Sequence, residues 1–479
     1  MDTALPLYQR LATHYREAIA HGSLLVGDRF PSVRALMGRH GVSLSTAVQV
    51  CRQLEQEGWL EARPRSGNFV RRPARPAGPL PSEPRAGQLP DPAQFVGIHG
   101  RVSEIIARGR QQPVSVNFSS ARSAPELYPG EALRLAAARA LRRHPDLLVS
   151  APPPNGCPDF LQVLARRALD AGMNLGAEEI VVTQGCMEAL NLALRAVTQP
   201  GDTVAVESPT FYGLLQVLET LGLKALEIPT SPQTGLSLEA LELACDHYGP
   251  IAALVVVPHL QNPLGCTMPE AHKARLVGLC AERGIALIED DTYSPLGEDD
   301  TVLPALKHWD RQGGVIHCAS LHKVLAPGLR LGWISAGRWQ ARVEMLKYAQ
   351  SRQNEALGQL VAADFMGSSA YDRHLRRLRA ALGSQRRRTT EAVLEYFPTG
   401  TLAARPQGGL ALWVQLPPGV SSREVFERAL GEGIFIAPGL MFSNSNRFDG
   451  YLRLNCGAPY TPAIDAALRR LGAIVGELA

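Results

Sequence analysis

The chain has 479 residues, 45% hydrophobic and 20% charged, a globular make-up too long for a single core; length alone predicts about three domains. No apolar run approaches the roughly 20 residues that span a bilayer, since "IAALVVV" stops at Pro258, and "MDTALPLYQR" lacks the basic-then-apolar layout of a secretion signal. The eight cysteines include no C-x-x-C pair, which argues against a zinc site or a disulfide framework and makes a reducing cytoplasm the expected location.

Net charge is +4 but uneven: residues 1–75 hold eleven arginines, no lysine and six acids, while the remainder is close to neutral. A basic head on a neutral body suggests a polyanionic partner for the head alone. Within it, "LPLYQRLATHYREAIAHG" places Leu7, Leu11, Tyr15 and Ile19 in a helical stripe ended by Gly22. "GDRFPSVRALMGRHG" predicts a turn, a Ser32 N-cap and a short helix facing Val33, Leu36 and Met37 inward, closed by Gly41. "VSLSTAVQVCRQLEQEGW" predicts a third helix capped by Ser43, with Ala47, Val50, Cys51 and Leu54 on one face. "WLEARPRSGNFVRR" reads as a hairpin around Pro-Arg-Ser-Gly.

Three helices and a basic hairpin make a winged helix-turn-helix, whose third helix would enter the major groove while arginines reach phosphates. The competing reading is a small helical domain for protein contacts. "GDRFPSVRALMGRHGVSLSTAVQVCRQLEQEGWLEARPRSGNFV" resembles the DNA-binding domain of the GntR family along its whole length. The resemblance implies that Arg34, Ser43, Ser45, Thr46, Arg65 and Gly67 contact DNA. Many members carry basic residues where this chain has Leu44 and Val48, so the family's base preference does not carry over.

"PARPAGPLPSEPRAGQLPDP", residues 73–92, holds seven prolines and no apolar periodicity, the signature of an extended spacer. The expected division is a DNA-binding domain at 1–72, a linker at 73–94 and a body at 95–479. The body's large lobe is placed at about 130–340 and its small lobe at about 345–479, joined by the N-terminal amphipathic segment (Ile98, Val102, Ile105, Ile106). In the large lobe seven runs, "EIVVTQ", "DTVAVES", "KALEIP", "ALVVVP", "ALIEDD", "GVIHCAS" and "RLGWISAG", alternate with helix-length segments. They predict an α/β fold with a mostly parallel seven-stranded sheet covered on both faces. "GGLALWVQLP" and "YLRLNCG" predict a smaller α+β domain after it.

Ligands of such sheets bind at the C-terminal strand ends. There the chain offers the glycine turn Gly185–Cys186–Met187 opening a helix, Phe211 beyond a proline, Asn262, Asp290 with Tyr293 three residues on, Ser320, Lys323 and Arg330. Taken singly, each has an ordinary surface or core reading. Together they fit pyridoxal 5′-phosphate. The helix start, Ser320 and Arg330 would hold its phosphate. Phe211 would stack on the ring, and Asn262 and Tyr293 would bond its phenolic oxygen. Asp290 would keep the ring nitrogen protonated. Lys323 would form the imine with the aldehyde, its ammonium pKa lowered by cationic surroundings. The other lysines, Lys224, Lys273, Lys307 and Lys347, lack such neighbours in sequence.

"NPLG", "EDDTY", "SLHKVLAPGLRLGW" and "YLRLNCG" resemble motifs of fold-type I aminotransferases, a likeness covering about residue 115 to 479. It assigns Arg453 to a substrate α-carboxylate. With the GntR-type head, the whole is similar to the MocR subfamily of transcriptional regulators. Three features depart from those families: His322 stands where serine is common, Thr292 separates the acids from Tyr293, and "SAPPPNGCP" replaces an aromatic-glycine loop. The resemblance implies a homodimeric regulator, operator DNA as partner and an amine, an amino acid or the cofactor itself as effector. The rival readings are an active aminotransferase carrying a secondary DNA-binding module, and a cofactor-independent DNA-binding scaffold.

Overall fold

A computed structural model describes residues 6–20, 23–25, 27–57, 59–63, 67–70, 80–81, 89–298 and 302–479. The chain divides into two units, residues 1–78 and 79–479. The head comprises α1 (Leu7–Ala20), α2 (Val33–His40), α3 (Leu44–Gln56), β1 (Leu60–Arg63) and β2 (Gly67–Val70). Both predicted caps form: Ser32 Oγ accepts from Ala35 N and Ser43 Oγ from Thr46 N, each at 3.3 Å. Gly41 ends α2 at φ 61°, a left-handed conformation natural to glycine. β1 and β2 pair antiparallel, Leu60 opposite Val70 and Arg63 opposite Gly67. The turn with Arg65 lies outside the described residues.

One expectation fails in α1. Leu7 is exposed, and Ala12 joins Tyr15 and Ile19 in the core instead. A strict four-residue spacing drifts about 40° per step around a helix, so a stripe that faces inward at Tyr15 and Ile19 lies off the inner face at Leu7.

The body begins with β3 (Gln94–Phe95), α4 (His99–Gln111), β4 (Val116–Asn117), α5 (Gly130–Arg143) and α6 (Pro158–Asp170). Next come β5 (Val181–Thr183), α7 (Cys186–Val197), β6 (Thr203–Ser208), α8 (Tyr212–Thr220), β7 (Lys224–Ser231), β8 (Gly235–Leu236) and α9 (Leu238–His247). β9 (Ala253–Val256), α10 (Glu270–Arg283), β10 (Ala286–Asp290), β11 (Val315–Ser320) and β12 (Gly332–Ser335) complete the strands of the large sheet. The sheet runs β3-β7-β6-β9-β10-β11-β12-β5, with β8 paired to β7. All seven predicted runs are strands, but the sheet has nine, because the short β3 and β8 pair antiparallel with β7. Two-residue strands carry too little periodicity to be read from sequence. Every residue of β9, β10 and β11 is buried, as strands covered on both faces require.

The chain continues with α11 (Gln340–Gln350), α12 (Ala356–Met366) and the 28-residue α13 (Ser369–Tyr396). β13 (Leu402–Ala403), β14 (Ala411–Gln415), α14 (Ser422–Gly431), β15 (Ile434–Phe435), β16 (Ala437–Pro438), β17 (Tyr451–Asn455) and α15 (Pro462–Leu478) follow. A second sheet runs β13-β14-β17-β16, while β4 pairs with β15 and so ties the segment before α5 to the C-terminal part of the body. Trp413 stacks on Tyr451 with centroids 5.3 Å apart, anchoring β14 against β17.

Candidate functional site

The body's site forms where the strands end. Asp290 closes β10 and is buried. Thr292 donates to its Oδ1 from the N–H at 3.1 Å and the hydroxyl at 2.6 Å, and the Cys186 thiol reaches the same oxygen at 3.2 Å. No donor among the described residues is bonded to Oδ2. Burial pushes the Asp290 carboxyl above its ordinary range, partly offset by those donors. A cationic ring N–H at the free oxygen would relieve that penalty.

Lys323 sits in the turn after β11. Its Nζ donates to Ala121 O and lies 5.9 Å from the Tyr293 ring centre. Burial, seconded by the Arg453 guanidinium and opposed by Asp290, pushes its ammonium down to about 8. Roughly a tenth of the amine is then neutral, and nucleophilic, at pH 7. The expectation of a lowered pKa from cationic surroundings therefore needs its order reversed: desolvation comes first and cations second.

Arg453, on β17, is 1% exposed. Its Nη1 donates to Asn262 Oδ1 at 3.2 Å and its Nη2 to Ser119 O, with the Phe442 ring 5.1 Å away. Nε has no hydrogen-bond partner among the described residues, although it is buried. An unpaired buried guanidinium edge is costly unless a ligand completes it, and a carboxylate is the group that does so in two parallel bonds. Asn262 also donates to the Tyr293 hydroxyl at 3.4 Å, so Asn262, Tyr293, Arg453, Lys323 and Asp290 share one site.

The glycine turn lies beside it, with the Cys186 thiol on Asp290. Gly185 adopts φ 82° before α7, whose first N–H groups are free of helical partners. Arg330, itself left-handed at φ 53°, donates from Nη2 to Gln184 O at 3.1 Å. That conformation costs an arginine on the order of 1 kcal/mol, strain that a phosphate held by the guanidinium would justify. Gly332 lets β12 press against the turn, since a Cβ there would lie 2.6 Å from the Gly185 carbonyl carbon. Ser320, buried at the end of β11, pairs with Gly332. The Met187 side chain packs against the core, which leaves only its backbone at the turn. Phe211 precedes α8 with its ring over Gly213, where a Cβ would come within 2.5 Å of it.

Several participants carry no sequence signal. Asn117 Oδ1 accepts from Ser119 N and Ser120 N at 2.9 and 3.2 Å, a turn that turns the Ser119 and Ala121 carbonyls toward Arg453 and Lys323. Burial foremost, with Arg122 among the lesser cationic contributors, lowers the pKa of both His322 and Lys323. Tyr212 lies beside Arg453 and Tyr293. Lys273, which sequence left without company, is fully buried. Its Nζ lies 2.6 Å from His259 Nε2, and His259 Nδ1 lies 2.6 Å from Asp291. Burial alone would raise the Asp291 carboxyl, but His259 and His317 outweigh it and hold it below the usual carboxylate range. This ionic layer lies directly behind Asp290.

In the head, Ser43 Oγ is 2.9 Å from Ser45 Oγ and 3.0 Å from Thr46 Oγ1, so these hydroxyls bond one another at the cap. Arg34, Ser43, Ser45 and Gly67 are exposed and Thr46 is half-buried.

A mostly parallel sheet of this order, with an amine, a buried carboxylate and a glycine turn opening a helix at its strand ends, defines a fold-type I protein of the pyridoxal 5′-phosphate-dependent class. The family model "Aminotransferase class I and II" matches residues 127–471, and "Bacterial regulatory proteins, gntR family" matches residues 7–70. The chain is 38% identical over 98% of its length to the HTH-type transcriptional regulator YdcR of Escherichia coli, covering 99% of that protein. It is 28% identical over 92% of its length to the regulator TauR of Rhodobacter capsulatus, covering 90% of it. The crystal structure of LysN, an alpha-aminoadipate aminotransferase from Thermus thermophilus complexed with N-(5′-phosphopyridoxyl)-L-leucine, superposes with a TM-score of 0.72 at 28% identity, over 79% of this chain and 94% of that one. The chain belongs to the aminotransferase class I and II family and carries a GntR-family head, the pairing found in MocR-type transcriptional regulators.

Proposed function

We propose that the body of this DNA-binding regulator senses an amino acid through pyridoxal 5′-phosphate and modulates operator binding by the head. The observation that carries this reading is the buried, unpaired Nε of Arg453 in the same site as Lys323. The cofactor supplies an aldehyde that captures amines and a ring that withdraws electrons. Lys323 would hold it covalently, Asp290 its ring nitrogen, and Gly185, Cys186, Met187, Ser320 and Arg330 its phosphate. Phe211 would cover the ring, while Asn262 and Tyr293 would meet its phenolic oxygen. Arg453 would take the α-carboxylate of an amino acid that displaces Lys323. Release of Lys323 alters charge beside Ala121 and Arg122, and regulation requires that the two resulting states bind DNA differently.

A second reading, amino-acid transamination, is favoured by one observation: an amine that titrates near 8 is also suited to move a proton at the ligand's α-carbon. We place the protein in the cytoplasm as a homodimer. Leu148 and Val149, 75% and 85% exposed, offer apolar surface for a second copy. Among the described residues no helix is long and apolar enough to cross a membrane.

The test is operator binding by the cofactor-loaded protein at one fixed salt concentration, titrated with amino acids and with the matching amines that lack a carboxylate. Amino acids should change DNA affinity and the amines should do so far more weakly. Unchanged affinity together with rapid multiple turnover would favour the enzyme reading.

A further inference from the structure

Leu44 opens α3 and is 59% exposed, whereas Ala47, Val50, Cys51 and Leu54 of the same helix are buried. At about 100° per residue, Leu44, Ser45, Val48, Gln49 and Arg52 fall within one outward arc of roughly 140°, opposite the buried residues. The Ser45 hydroxyl and that of neighbouring Thr46 each already bond Ser43 Oγ. Beside them, Leu44, the half-buried Val48 and the exposed Gln49 are outward side chains of the first two turns. The Gln49 amide has no partner among the described residues. Arg52 is the first basic residue on this face, a full two turns in.

These residues have a defined reading vocabulary. Guanine is recognised in the major groove chiefly by arginine or lysine on its O6 and N7. Neither stands here before Arg52. Aliphatic side chains instead contact the thymine methyl, and a glutamine amide bonds adenine N6 and N7 in a bidentate pair. We infer that the first two turns of α3 read A·T pairs, Leu44 and Val48 through thymine methyl groups and Gln49 through adenine. Arg52, like Arg34 on α2, is then left for phosphates. The inference rests on the DNA-binding role of the head and specifies the partner that role takes: duplex DNA with thymine methyls at the positions α3 meets.

The experiment uses the full-length protein at one salt concentration and a randomised duplex library. Bound sequences are selected, and each thymine of the best site is then replaced by deoxyuridine, which removes the methyl and leaves pairing intact. Each thymine position so contacted should lose about fourfold in affinity on replacement, the worth of one buried methyl. Leu44→Ala should weaken the thymine duplex by a similar factor and be indifferent to deoxyuridine there. Leu44→Arg should shift selection toward guanine at that position. Leu44 lies on the surface, so these substitutions leave the core of the head in place. Half-sites dominated by guanine at the α3 positions, or affinity indifferent to every methyl, would overturn the inference while leaving DNA binding intact. Retention of no sequence above competitor DNA would overturn the DNA-binding role itself, and the inference with it.

Discussion

The two units of this chain build their contact surfaces in opposite ways. In the head, the side chains that would meet DNA come mainly from α3 and its cap, lie close together in sequence and remain in water. In the body, the groups around Lys323 come from residues 119 to 453 and are largely buried. Burial changes what charge is worth. Arg453 and Asp290 each carry an incomplete set of bonds away from water, so a ligand that completes them gains far more than it would at a surface. Arg34 and Arg52 are already hydrated, and their contribution to DNA binding should fall steeply with salt. The body is built for one small ligand, and the head for a long, repetitive polyanion.

The contrast can be tested from both sides. Lys323→Ala should have the largest effect, abolishing the near-visible absorbance of covalently held cofactor altogether. A band that survives would move the anchor elsewhere. Arg453→Met should weaken amino-acid binding by about a hundredfold, in line with the loss of one partner of a buried charge pair, and leave carboxylate-free amines nearly untouched. Calorimetric titration of the cofactor-loaded protein decides this.

The pH dependence of cofactor capture should be milder. Because burial lowers the Lys323 ammonium to about 8, capture by the cofactor-free protein should quicken about tenfold per pH unit below that value and level off above it. Arg453→Met removes a cation that lowers this pKa, so the inflection should move upward, followed by stopped-flow absorbance. On the head, Ser43→Ala should cost about 1 kcal/mol, seen as faster hydrogen exchange in the first turn of α3 with absorbance of the body unchanged.

A separate effect on stability concerns Glu207, whose buried carboxyl is pushed up to about 8 by burial, with Val257 N and Gln261 Nε2 as donors. Its proton is held by the folded protein and lost on unfolding between about 4.5 and 8, so stability falls as pH rises through that window. Glu207→Gln should remove this slope, raising the melting temperature by a few degrees at pH 8 and by less at pH 5.

Much of this was legible in the chain itself. Strands β5 to β12, apart from the two-residue β8, carry dense β-branched and aliphatic runs, and burial on both faces writes them plainly. The caps Ser32 and Ser43 and the stop Gly41 follow from local backbone chemistry. Lys323, Asp290 and Tyr293 could be picked out because strand ends are where a parallel sheet exposes polar groups. Leu7 could not be placed correctly, because spacing alone does not reveal where a winding stripe leaves the core. The Ser119–Arg122 turn could not be found either. Its carbonyls matter through where they point, and a carbonyl has no residue identity.

Local patterning therefore determined which elements form and which residues lie at their ends, since hydrogen-bonding period and side-chain shape act over a few neighbours. The tertiary structure decided what those residues became. It left Arg453 short of a partner, brought the Lys323 amine near neutral pH, set an ionic layer of Lys273, His259 and Asp291 behind Asp290, and kept Leu44 in water. Desolvation and Coulomb interactions depend on distance in space, and segments hundreds of residues apart set those distances.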